Sequence, residues 1–255
     1  MRIAALYRHP VKGLSPEPLD EATLETGAHF PEDRILALEN GPSGFDPAAA
    51  EHLPKMRFLM LMRQERLARL ETRFDSASRR LTIRQGGSVV AEGVVDSPEG
   101  RAVIERFFET FCAEERRGPV RLLVAPPGFR FMDSHSGFVS VLNTATIAEI
   151  GMALGRQALD PRRFRGNILL EGLPAFAEND WAGRVLRIGT AELEILKRID
   201  RCAATDVDPR LGRRDTRIVE TLERLYGHHD CGVYARIRTG GTLRPGDAAM
   251  LVDQP

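Results

Sequence analysis

The chain has 255 residues with 36 Lys plus Arg against 36 Asp plus Glu, a formal net charge of zero. That balance excludes a nucleic-acid binder working through bulk positive charge, while leaving room for a local basic pocket. Three cysteines, Cys112, Cys202 and Cys231, are too few for a disulfide framework, an all-cysteine zinc site or a four-thiolate iron–sulfur cluster. The chain opens on a strand-like run, with no leader pattern and no 18-residue apolar stretch, so a soluble, cytoplasmic protein without a membrane span is expected.

The first 95 residues read as β-rich. Residues 2–7 form a short strand halted at His9-Pro10, and Val11-Lys12-Gly13 makes a turn. Residues 33–38 predict a second strand, closed by the loop-forming run Asn40-Gly41-Pro42-Ser43-Gly44. Polar and apolar residues alternate over 66–72 and 80–84, as in half-buried antiparallel strands, and Gln85-Gly86-Gly87-Ser88 turns the latter into a hairpin. Ser97-Pro98 then starts a helix with an N-cap hydroxyl and a first-turn proline. Val103, Ile104, Phe107, Phe108 and Phe111 share one face of it, and Cys112 ends that stripe as a buried thiol. Pro126-Pro127-Gly128 reads as a loop between halves.

The second half predicts a strand over 138–142 and a helix capped at Asn143-Thr144. A strand over 166–170 and a hairpin about Gly189-Thr190 follow, then a helix over 215–225 and closing strands at 233–237 and 248–252. Many short strands with few helices predict a mainly β, barrel-like architecture with peripheral helices.

Four polar stretches carry the candidate chemistry. Tyr7-Arg8-His9-Pro10-Val11-Lys12-Gly13 sets a lysine beside a glycine, which allows close backbone approach to an anion. Asp33-Arg34 stands at the start of a strand. Arg162-Arg163-Phe164-Arg165-Gly166-Asn167 holds three arginines and no acid, which repel unless an anion lies among them. Arg201-Cys202 places a cation beside a thiol, favouring the thiolate, the form that acts as nucleophile and soft-metal ligand. Zinc at Cys202, Cys231 and His228 or His229 fits no usual ligand spacing, and Asp133-Ser134-His135-Ser136 reads as a polar loop rather than a hydrolase motif.

Together these residues resemble a known family. Arg201-Cys202 with Thr205-Asp206-Val207-Asp208-Pro209 is similar to the signature of the MOSC domain, the C-terminal domain of molybdenum cofactor sulfurase. Arg163-Phe164-Arg165-Gly166-Asn167-Ile168, Trp181-Ala182-Gly183, Cys231-Gly232-Val233-Tyr234-Ala235 and the run 241–247 support it. The stretch 7–13 and Asp33-Arg34 resemble the N-terminal β-barrel region that precedes this domain in the amidoxime-reducing component and its bacterial relatives. The resemblance implies an N-terminal region over 1–120 and a MOSC domain over 121–255. It implies a molybdenum–pterin cofactor with the Cys202 thiolate on the metal, and Asp206 and Tyr234 as further catalytic residues. Cofactor contacts are implied at Lys12, Gly13, Arg34, Asn143, Thr144, Arg165, Asn167 and Arg201. Two positions depart from the pattern: Asp200 stands where relatives carry a small hydroxyl residue, and Gly13 where they carry serine.

The activity implied is reduction of N-oxygenated small molecules. The chain ends at Pro255 without cysteines for a ferredoxin-like domain, so electrons are expected from a separate protein, ferredoxin-like or a cytochrome/flavin reductase. An alternative reading is a sulfur carrier, or cofactor delivery protein, with a persulfide on Cys202.

Overall fold

In the computed structural model, which describes residues 1–252, apolar residues alternating along short strands build two packed units joined by a seam. The strands are β1 (Arg2–Arg8), β2 (Glu17–Leu19), β3 (Ala22–Leu24), β4 (Leu36–Asn40), β5 (Leu70–Asp75), β6 (Arg80–Gln85) and β7 (Ser88–Val94). Helix α1 (Pro98–Phe111) and β8 (Val120–Val124) follow, then β9 (Val139–Asn143), α2 (Thr144–Ala153) and β10 (Ile168–Glu171). The chain closes with β11 (Val185–Ile188), β12 (Ala191–Asp200), α3 (Ile218–Tyr226), β13 (Asp230–Thr239), β14 (Gly241–Leu243) and β15 (Ala249–Val252). The architecture is mainly β with peripheral helices, as the strand-rich pattern predicts. No helix among the described residues is long and apolar enough to cross a membrane.

Eight strands form one sheet in the order β15-β11-β12-β13-β9-β10-β1-β2. Its pairs are antiparallel except β9 and β10, which run parallel because α2 carries the chain over between them. The inward residues of β1, β9, β12 and β13 meet Phe30, Trp181 and the β3–β14 ladder in one apolar core. Burying such aliphatic side chains at roughly 25 cal/mol per Å² is the main stabilising term.

The second unit packs the β4–β8 ladder and the β5–β6–β7 meander against α1. Leu70, Thr72 and Phe74 of β5 point inward in strict alternation. Ser97 caps α1 by accepting from Gly100 N at 2.9 Å, and Ile104 and Phe108 bury the helix's inner face, while Val103 faces out. Cys112 is fully buried beside them.

Several boundaries differ from the sequence pattern. The strand expected over 33–38 begins at Leu36, because Arg34 takes a left-handed turn at φ 53° and Asp33 closes the turn before it. Residues 66–69 belong to a 3-10 turn rather than a strand. Helix α3 starts at Ile218, where the Asp206 carboxylate accepts from the Ile218 amide at 2.7 Å. The expected division between 1–120 and 121–255 falls inside β8, whose partner is β4. Strands β1, β2 and β3 pair with one another or with strands of the second half.

The segment between β1 and β2 forms the seam. On leaving the sheet at Arg8, the chain runs beside β4, with Lys12 N donating to Leu36 O at 2.8 Å. This brings the turn at Lys12-Gly13 from one unit toward Arg165 and Cys202 of the other.

Candidate active site

A cleft of about 470 Å³ opens at this seam. One wall comes from Lys12, Gly13, Arg34 and the turn 60–62, and the other from Arg165, Tyr234 and the end of β12 leading into Cys202. Gly13 has φ +80°, and a Cβ there would stand 2.9 Å from Leu59 O, so the close packing of this turn requires glycine.

Cys202 follows β12 and starts a 3-10 turn over Ala203–Asp206. Thr205 locks that turn, its backbone N and its Oγ1 each 3.0 Å from the Cys202 carbonyl. The thiol is half-buried and borders the cleft. Arg201 is not free to serve it alone: Nε donates to Cys231 O at 2.8 Å and Nη1 to Phe164 O at 2.6 Å. Gly232, at φ +81°, leaves the space that this guanidinium needs. Arg201 therefore fixes the loop geometry as well as adding positive potential.

The inner wall concentrates cations. Arg34 pairs with Asp33 and donates through Nη2 to the Arg165 carbonyl at 3.1 Å. Lys12, 6% exposed, donates to Phe131 O at 3.0 Å and pairs with Asp133. Burial, and then the neighbouring arginines, pull the Lys12 pKa below its ordinary value against the opposing effect of Asp133. Arg165 donates through Nη1 to Leu14 O, whereas its Nη2 is shut from solvent without an acceptor. Burial and then Arg34 pull its pKa down to about 9, with Cys202 among the groups acting the other way. An orphaned guanidinium arm in a cation cluster fits an anionic group.

Asp33 balances part of this charge. Burial favours its protonation, but Arg34 and a 2.6 Å bond from His9 N hold it well below the usual carboxylate range. Tyr234 lies opposite, where burial outweighs Arg201 and Arg34 and raises the phenol above its ordinary pKa.

Of the residues singled out from sequence, Lys12, Gly13, Arg34, Arg165, Arg201, Cys202 and Tyr234 meet at the cleft. Asn143, Thr144, Asn167 and Asp206 do not line it. Asn143 caps α2 through Ala145 N at 3.0 Å and donates to Pro174 O and Glu178. Thr144 is the first residue of that helix. Asn167 bridges the strands, accepting from Ser140 and donating to Tyr7 O at 3.2 Å. Asp206 caps α3.

The arginine run is also less free of acids than its own sequence shows. Arg162 pairs with Asp160, and buried Arg163 with Asp208 and Asp215, so Arg165 is the one of the three without an acidic partner among the described residues. The zinc reading loses Cys231, a fully buried thiol pushed up to about 12, chiefly by burial. Lys55, Lys197, Ser140 and Asp133 border the cleft without having been picked out. A signal existed for two of them: the chain has only three lysines, at 12, 55 and 197, and all three lie here.

The fold and this cleft define a class. Residues 130–249, just under half of the chain, match the model of the MOSC domain. The chain is similar to mitochondrial amidoxime-reducing component 1 of Mus musculus, at 32% identity over 128 residues covering 45% of this chain and 36% of that protein. Mitochondrial amidoxime reducing component 2 of Bos taurus is 29% identical over 123 residues, 43% of this chain and 35% of the relative. The match thus spans about a third of the length of these curated relatives. Among solved structures, the YUAD protein from Bacillus subtilis aligns at TM-score 0.48 and 11% identity, over 100% of this chain and 96% of that one. YiiM from Geobacillus stearothermophilus aligns at TM-score 0.36 and 19% identity, over 47% and 56%.

Proposed function

We propose that the cleft binds a molybdenum–pterin cofactor and that the protein reduces N-oxygenated small molecules. The observation that carries this reading is the orphaned Nη2 of Arg165, in a cation-rich cleft bordered by the Cys202 thiol. The donor set suits an anionic, phosphate-bearing group: a planar guanidinium with a spare arm, a second arginine, a buried lysine and the backbone of a glycine turn. Cys202 offers the soft sulfur that such a metal takes. Asn143, Thr144, Asn167 and Asp206 then act by holding the strands and helices behind the cleft, and Arg201 by fixing the loop.

When bound, the group supplies a two-electron redox centre. The chain's own residues hold it, orient the substrate and exclude water through Met60, Met62, Met132 and Phe164, which line the cleft. Tyr234 retains its phenolic proton through neutral pH and presents it as a donor. In the overall reaction the N–O bond breaks, two electrons and two protons enter, and the oxygen leaves as water. The electrons come from a separate electron-transfer protein, ferredoxin-like or a cytochrome/flavin reductase. Residues 1–120 serve as the N-terminal region and 121–255 as the MOSC domain. Three unpaired thiols suit a reducing compartment such as the cytoplasm.

The test is metal and pterin analysis of protein made in a host that synthesises the cofactor, beside Cys202→Ser. Near-stoichiometric molybdenum, with benzamidoxime reduction that the mutant loses, supports the reading. Full turnover by Cys202→Ser would defeat the ligand role. Cyanide-releasable sulfur on Cys202 without molybdenum would replace the enzyme with a sulfur carrier.

A further inference from the structure

The chain as a whole is electrically neutral, yet basic residues lining the cleft outnumber acidic ones eight to two. Most of these cations are accounted for. Arg163 and Arg201 are tied into the surrounding loops, Arg198 bonds to Asn179 O and pairs with Asp180 and Asp230, and Lys12, Arg34 and Arg165 form the inner cluster. Lys55 and Lys197 differ. Among the described residues neither ammonium has a hydrogen bond or ion pair, and they belong to different units, Lys55 to a 3-10 turn and Lys197 to β12.

Strand register sets the direction of Lys197. It stands opposite Tyr234 across the β12–β13 ladder, and Tyr234 stands opposite Ser140 of β9. Directly opposed residues share one face of a sheet, so Ser140, Tyr234 and Lys197 form a row across three strands, and all three border the cleft. Lys55 reaches the same cavity from the other unit, close enough to influence the Asp133 carboxylate. Asp133 is already engaged by Lys12. A lysine is a mobile point charge, suited to reading a carboxylate or phosphate whose position varies, in contrast to the fixed forks of Arg34 and Arg165.

We propose that Lys55 and Lys197 are specificity-determining residues that recognise an anionic substituent on the substrate, so that the preferred substrates are N-oxygenated compounds carrying a carboxylate or phosphate. This rests on the reductase reading of the same cleft and assigns cofactor anchoring to the inner cations alone.

The test compares benzamidoxime with 4-carboxybenzamidoxime, which differ by one anionic group. Binding is followed by calorimetry and KM by turnover, for the wild-type holoenzyme, Lys55→Ala, Lys197→Ala and Lys197→Arg. The wild type should bind the carboxylate about two- to fivefold more tightly, the scale of one partly exposed charge pair. Lys197→Ala should lose most of that preference and leave the neutral compound within about twofold, and Lys55→Ala should lose part of it, the loss being confined to one charge pair. Lys197→Arg should restore the preference, and molybdenum and pterin content should stay constant in every variant. Equal affinity of the wild type for both compounds, equal weakening of both, or loss of cofactor from the lysine variants would overturn the proposal. Calorimetry separates it from the reductase reading: a wild type without molybdenum or turnover defeats that reading, whereas a lysine-dependent carboxylate preference is measured without catalysis.

Discussion

Arg165 donates through Nη1 to the Leu14 carbonyl at 2.5 Å, tying the stretch that matches the MOSC domain to the segment that carries Lys12 and Gly13, while Nη2 of the same guanidinium finds no partner. Its folded pKa, about 9, lies below the ordinary 12.5. Folding therefore disfavours the charge. That cost is fully present at neutral pH and relaxes only as pH rises through the folded value. Arg165→Gln should therefore leave the melting temperature of cofactor-free protein unchanged or raised. Pterin content after purification should fall about tenfold or more, since a charge-assisted bond to an anion is lost. A variant that melts lower yet keeps its cofactor would remove Arg165 from the anchoring set.

The three thiols differ in access. Cys112 and Cys231 are fully buried, with pKa values pushed up chiefly by burial to about 11 and about 12, whereas Cys202 is half-buried at the cleft. Iodoacetamide on native cofactor-free protein should modify Cys202 first. The other two should lag by about a hundredfold or more, because the thiolate is the reacting form and theirs is scarce. Peptide mass spectrometry resolves the order. Protection of Cys202 in cofactor-loaded protein follows from the proposed ligation, and equal labelling with and without cofactor would contradict it.

Much of this was legible in the chain, and the misses share a cause. Strands with clean alternation, such as β5 to β7, and helices with explicit caps, such as Ser97 for α1, follow from local chemistry and lie where the pattern predicts or within a few residues. β8 was lost because Val120-Arg121-Leu122-Leu123-Val124 owes its identity to a partner, β4, some eighty residues earlier. The same holds at the site. Cys202 and Arg165 announce themselves through their neighbours. The acids that neutralise Arg163 come from Asp208 and Asp215, and the lysines of the cleft from three distant elements. Asn143 and Asn167 look alike in sequence as polar residues beside a turn, and only strand pairing reveals that their amides hold backbone and carboxylate groups together.

His9 gives the fold a pH dependence. It is wholly buried with Nε2 unpartnered, and burial, followed by Arg165, lowers its pKa to about 3 from the ordinary 6.5. The unfolded chain binds a proton below pH 6.5 that the folded chain refuses until about pH 3. Stability therefore falls as pH drops through that window, by up to about 1.4 kcal/mol per pH unit. Asp33 acts in the same direction but lower: its depressed pKa contributes stability that is lost only below the ordinary carboxylate value. Half-buried His29, lowered to about 4 chiefly by burial, adds a smaller, solvent-screened contribution. Urea titrations of His9→Gln between pH 6 and 4 should give a flatter dependence than the wild type. Parallel curves would show that His9 is not the group responsible.

Gly232 and Gly246 separate backbone strain from steric conflict at the site. Both have positive φ, +81° and +94°. A Cβ at Gly246 meets nothing within 4 Å, so Gly246→Ala should cost only the strain of a left-handed conformation, about 1 kcal/mol. At Gly232 the added carbon would stand 2.5 Å from Val141 O, 2.6 Å from Leu142 Cδ2 and 3.3 Å from Arg201 Nη2. The strand carbonyl cannot retreat without breaking the β9–β13 ladder, so the displacement falls on the Leu142 side chain and on Arg201, and through Arg201 on the loop bearing Cys202. Gly232→Ala should lose about 2–4 kcal/mol in urea, strain plus overpacking. It should also change the rate of Cys202 alkylation, which Gly246→Ala leaves alone. Equal losses in the two variants, with the thiol unaffected in both, would mean that Arg201 does not couple Gly232 to the site.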